Sequence, residues 1–125
     1  MVLGIGLAAY LNLPRNGHDP IEPNTIVVPS EMSQQARTGK NLFGENCAAC
    51  HGQSASGTEQ GPPLVHRIYE PNHHADYSFV LAAKNGVRSH HWGFGDMPPV
   101  PDITEQEIAS IIAFVREVQR ANGID

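Results

Sequence analysis

Hydrophobic positions recur at helical spacing in three stretches of this chain. The strongest follows Thr104, where Ile108, Ile111, Ile112, Val115 and Val118 return at three- and four-residue steps and form one apolar stripe. Thr104 and Glu107 stand ahead of that stripe at the spacing of a capping box, and Gly123 can end the helix. A first helix is expected from about Met32 to Asn46, with Gly39 and Phe43 four apart on one face. A shorter one is expected from about Asp76 to Asn85, turning Phe79, Val80 and Ala83 inward and stopping at Gly86. Between them runs a loop containing Gly, Ser and Thr, from Gly52 to Gly61. No stretch alternates apolar and polar residues as a strand would, and nothing repeats. Residues 31–125 are therefore expected to fold as one small all-α domain, with three to four helices joined by long loops.

The start of the chain has a different character. Residues 1–14 are mostly apolar and carry no charged side chain, and residues 15–30 hold Pro20, Pro23 and Pro29 among polar residues, the composition of an extended linker. Fourteen helical residues reach only about 21 Å, short of a hydrocarbon core of ~30 Å. No positively charged region precedes the apolar stretch, as a secretory signal would require. Three readings of residues 1–14 stay open: the remnant of a membrane anchor, a cleavable signal, and a segment packed on the domain.

Composition sharpens this picture in two ways. The chain has 125 residues, of which 12 are Gly and 10 are Pro, so much of so small a domain is loop and its own apolar core is limited. Such a domain gains from an added group in its interior. The formal net charge of −5 argues against nonspecific nucleic-acid binding, which needs a basic surface to displace phosphate counterions.

The two cysteines indicate what the added group is. They fall together in Cys47-Ala48-Ala49-Cys50-His51, and C-x-x-C-H is the attachment signature for c-type haem. Two thiols three residues apart on a helical turn can each add to one vinyl group of the same porphyrin, with the next imidazole held under the iron. A thioredoxin-like pair needs a βαβ setting, and a structural zinc site needs four ligands with more cysteine than remains. A disulfide between residues so close would stabilise little.

From these residues onward the chain resembles the class I monohaem cytochrome c family, over about residues 32–122. The resemblance rests on Cys47-Ala48-Ala49-Cys50-His51-Gly52, then Gly61-Pro62-Pro63-Leu64, Asn85-Gly86-Val87 and Gly95-Asp96-Met97-Pro98-Pro99, in that order, followed by the amphipathic last helix. It implies a small cytochrome c fold wrapped round one covalently attached haem, its first and last helices crossing where Gly39 and Phe43 meet Ile111 and Phe114. It implies iron held by His51 and Met97, with the Pro62 carbonyl accepting from the free ring nitrogen of His51. Arg67, Tyr69 and Trp92 are implied as partners of the haem propionates. Pro98 and Pro99 stiffen the loop carrying Met97. His66, His90 and His91 are the alternative iron ligands, and an open sixth position is the remaining case.

The function so implied is single-electron transfer between redox partner proteins outside the cytoplasm, periplasmic in a bacterium and anchored to the membrane if residues 1–14 belong to an anchor. A haem c subunit within a larger oxidase or dehydrogenase is the alternative, and a gas- or peroxide-binding haem a third. Net negative charge favours a partner with a basic docking face. His73-His74 and His90-His91 invite a copper or zinc site, but they read rather as solvated loop histidines, because adjacent residues rarely point the same way. Sensing of pH near neutrality is the other role open to them.

Overall fold

The computed structural model describes residues 25–125. The apolar segment 1–14 and residues 15–24 of the expected linker lie outside the described residues. Four α-helices follow in order: α1 (Gln34–Asn46), α2 (Ala48–His51), α3 (Asp76–Asn85) and α4 (Glu105–Ala121), with a 3-10 turn at Arg67–Tyr69 between α2 and α3. Among the described residues the one β feature is an isolated antiparallel bridge, Val87 to Met97.

Helix α1 starts two residues later than the apolar pattern suggests, because Ser33 caps it. The Ser33 hydroxyl accepts from the Ala36 amide at 3.1 Å and donates to the Glu117 carboxylate at 2.5 Å, so the cap also ties α1 to α4. Helix α4 opens on the expected capping box. The Glu107 amide donates to the Thr104 hydroxyl at 3.2 Å, and the Thr104 amide donates back to the Glu107 carboxylate at 2.9 Å.

The two long helices cross at Gly39. A Cβ there would lie 1.7 Å from the Ser110 carbonyl oxygen, so the crossing is backbone against backbone and admits no side chain. One turn on, the Phe43 and Phe114 rings meet at 5.3 Å with a 57° tilt. The α4 stripe, Ile108, Ile111, Ile112, Val115 and Val118, is buried against these rings together with Ala36 and Val65. Each large apolar side chain so placed contributes roughly 1.5–3 kcal/mol relative to exposure.

The packed unit begins earlier than residue 31. Ile26 and Val28 rest on the core. The Val27 amide donates to the Asn122 side-chain oxygen, and the Asn122 amide group donates to the Val27 carbonyl, both at 2.8 Å. Proline content correctly signals extended chain here, but an extended strand of backbone can still pair with a side-chain amide presented by a helix end.

Two polar residues of α4 hold the long middle loop in place. Arg116 and Gln119 are buried. The Arg116 guanidinium donates to Asp76 at 2.8 Å, to the Tyr69 carbonyl at 2.6 Å, to Gln119 at 2.8 Å and to the His74 carbonyl. It also lies 4.9 Å over the Phe79 ring. Gln119 donates to the carbonyls of Leu64 and Tyr69 at 2.8 and 3.0 Å. Loop carbonyls with no helix partner of their own are thereby satisfied from α4, which fixes residues 64–76 against the domain.

Candidate haem site

The C-x-x-C-H segment is a single helical turn continuing from α1. The Cys47 amide donates to the Phe43 carbonyl at 2.8 Å, and the His51 amide donates to the Cys47 carbonyl at 2.9 Å. Cys47 is half-buried and Cys50 exposed. Burial, with the neighbouring Cys50, pushes the Cys47 thiol up to about 11. Both cysteines and His51 line a cavity of about 810 Å³, whose other walls include Leu64, Phe79, Val87, Met97, Ile108 and Ile111. That volume suits a large apolar cofactor.

His51 is buried and its ring is oriented by the loop that follows. Its Nδ1–H donates to the Pro62 carbonyl at 2.8 Å, leaving the lone pair on Nε2. Burial lowers its affinity for a proton, and the bond to Pro62 only partly offsets this, so the ring is held as the neutral ligand form. The loop is folded back by three further bonds. The Gly57 amide donates to the His51 carbonyl at 2.7 Å, the Leu64 amide to the Ala55 carbonyl at 2.8 Å, and the Thr58 hydroxyl to the Cys50 carbonyl at 2.6 Å.

Met97 reaches the same cavity from the segment between α3 and α4. Its backbone pairs with Val87 just beyond α3, and the Val100 amide donates to the Ala83 carbonyl within α3 at 2.8 Å, so the Met97-Pro98-Pro99 turn is held at both ends. The preceding loop is closed by the Ser89 amide, which donates to the Asp96 carboxylate at 2.9 Å. A thioether and an imidazole facing one apolar cavity beside two thiols form a donor set that could hold haem iron.

The three residues implied as propionate partners separate here. Tyr69 lines the cavity. Trp92 spends its single N–H on the Tyr69 hydroxyl at 3.0 Å, and it stands outside the cavity lining. Arg67 is exposed and also off the lining, since consecutive side chains in a 3-10 turn leave the axis about 120° apart. Arg88, His74 and His90 line the cavity in their stead. Their chemistry is visible in the sequence, but their approach to the cavity depends on how two loops fold.

Of the alternative iron ligands, His66 is buried with its Nδ1 accepting from the Ile68 amide at 3.1 Å, and its ring stands edge-on to Trp92 at 5.2 Å. Neither His66 nor His91 belongs to the cavity lining, whereas His90 does. The two histidine pairs, expected to be solvated loop residues, come together. The amides of His73 and His74 both donate to the Glu70 carbonyl, at 3.0 and 2.8 Å, in a turn tight enough to bring adjacent rings to 4.9 Å. His91 Nε2 then lies 3.4 Å from His73 Nε2.

Crossed terminal helices, a helical C-x-x-C-H turn, and a histidine and a methionine on one apolar cavity define a c-type cytochrome. The chain belongs to the cytochrome c family, whose pattern matches residues 36–119. Membership implies covalently held haem c and haem-based electron transfer. The chain is also similar to the Cbb3-type cytochrome c oxidase subunit CcoP of Rhodobacter capsulatus, 22% identical over 142 residues, covering 87% of this chain and 48% of that protein. It thus spans about half the length of that relative. No solved structure matches it. No helix among the described residues is long and apolar enough to cross a membrane.

Proposed function

We propose that the domain binds one haem c through Cys47 and Cys50, ligates its iron with His51 and Met97, and carries single electrons between redox proteins at the outer face of the cytoplasmic membrane. The observation that supports this reading is the presence of His51 and Met97 on one cavity of about 810 Å³ with the two cysteines on its wall. When bound, haem supplies an iron that takes up and releases one electron.

The chain's own residues do the rest. Pro62 holds the proximal imidazole in the tautomer that leaves Nε2 to the metal. Met97 offers a neutral, soft sulfur that favours ferrous iron and raises the reduction potential. The apolar walls exclude water, which keeps the energy of reorganisation on electron transfer small. Tyr69, Arg88 and His90 provide the polar edge for the propionates. The net charge of −5 steers a partner with a basic docking face. A gas- or peroxide-binding role requires Met97 to leave the iron, which the backbone pairing of that residue opposes.

A second reading is a haem c subunit fixed within a larger membrane oxidase or dehydrogenase. The likeness to an oxidase subunit across most of this chain favours it.

The test is to denature the holoprotein and extract it with acid and organic solvent. Haem is expected to stay with the polypeptide in a one-to-one ratio. Transfer of all haem to the organic phase rejects the assignment. Co-purification from membranes with or without an oxidase then separates the carrier from the fixed subunit.

A further inference from the structure

A cluster of histidines lies at the rim of the haem cavity, outside the set of iron ligands. One ring nitrogen from each of His73, His74 and His91 lies within 4.8 Å of the others. The three come from two separate loops, and the gap of 18 residues between His73 and His91 is bridged only by the fold. His73 and His91 are exposed and His74 is half-buried, so the cluster is open to solvent.

The three nitrogens lie close enough to converge on one ion through small side-chain rotations. Nitrogen ligands at about 2.0–2.1 Å from a tetrahedral zinc ion stand about 3.3–3.4 Å apart, whereas cis ligands in a square plane stand about 2.9 Å apart. His73 Nε2 and His91 Nε2 are 3.4 Å apart, sharing a hydrogen bond at a separation that a tetrahedral ion would also set. The third ring is oriented by a backbone group, as metal-bound imidazoles usually are. His74 Nδ1–H donates to the Ile68 carbonyl at 2.5 Å, which leaves Nε2 for a metal. The Arg116 charge is paired with Asp76 at 2.8 Å, which reduces its repulsion of a cation.

We propose that His73, His74 and His91 bind a divalent zinc-type cation, which joins the turn at residues 70–74 to the loop carrying residues 89–96. Three imidazoles leave one tetrahedral position for water or an outside ligand. His90 stands beside the set, its Nδ1–H donated to the Arg88 carbonyl at 2.9 Å. The turn on one side is anchored to α4 by Arg116, and the loop on the other runs directly into Met97. Bound zinc would therefore clip the Met97 loop to the body of the domain.

Zinc chloride is titrated calorimetrically into the haem-loaded chain in a buffer that does not coordinate metals. One ion per chain with micromolar affinity is expected, weakened about tenfold or more in His73→Asn and in His91→Asn. Both positions stand off the haem-cavity lining, so an unchanged haem spectrum reports that these variants fold. X-ray absorption at the zinc edge of the wild-type complex is expected to show three imidazoles at about 2.0–2.1 Å. Absence of saturable binding, undiminished binding in both variants, or an oxygen-only shell would each overturn the proposal.

Discussion

Met97 and Val87 exchange backbone hydrogen bonds in both directions, at 2.8 and 3.0 Å, although neither belongs to a strand. This pairing holds the residue that bears the thioether just beyond the end of α3. Pro98 and Pro99 immediately follow and stiffen the chain. The methionine is thus presented to the cavity by a frame that exists independently of any bond it makes to iron.

Replacing Met97 with Ala should therefore leave the frame standing and remove only the ligand. The oxidised wild type is expected to show the weak far-red band of a sulfur–iron bond, and its ferrous form to bind carbon monoxide slowly. In Met97→Ala the band should vanish, carbon monoxide should bind faster and the reduction potential should fall. Identical spectra and kinetics in the two proteins would place another residue, or none, on the iron.

The helix crossing yields a paired prediction from two glycines of α1. Gly39→Ala forces a Cβ to 1.7 Å from the Ser110 carbonyl and should cost about 1–3 kcal/mol or more as α1 and α4 separate. Gly44→Ala meets nothing nearer than the Gln53 side chain at 3.6 Å, and should stabilise α1 by roughly 0.5–1 kcal/mol. Thermal unfolding of both holoproteins should move in opposite directions, by several degrees each.

Arg116→Met keeps an apolar stem but leaves the Tyr69 and His74 carbonyls without their guanidinium donor. Stability should fall by about 2–4 kcal/mol. Arg116→Lys should recover only part of this, since an ammonium cannot fork to Asp76, Gln119 and two carbonyls at once. Hydrogen exchange across residues 64–76 is the direct readout, expected to speed up in both variants and more in the methionine one.

The contacts of residues 26–28 predict different outcomes for two truncations. Removing residues 1–24 keeps every contact described for Ile26, Val27 and Val28, and serves as the reference protein. Removing residues 1–29 also deletes Ile26 and Val28 and the paired bonds between Val27 and Asn122. A loss of about 1–2 kcal/mol is expected, because both side chains are only partly buried. Equal stability of the two truncated proteins would show that residues 26–28 contribute nothing.

By itself the sequence determined the helical class, three of the four helices to within two residues, the capping box at Thr104 and Glu107 and the C-x-x-C-H signature, while the crossing at Gly39 was legible only through the family resemblance. The elements, the cap and the signature are local properties: each follows from spacing within one or two turns, and burial later agreed with the apolar stripe. Tertiary structure alone decided what loops bring together. Arg116 and Gln119 sit on the helix with the clearest pattern, yet only the fold aims them at the carbonyls of Leu64, Tyr69 and His74. The same holds for Trp92, whose N–H goes to Tyr69, and for His73 and His91, which meet at 3.4 Å across 18 residues. Loop residues lack a period that constrains where a side chain points, so their partners are set by long-range backbone closure and by the buried polar groups that closure must satisfy.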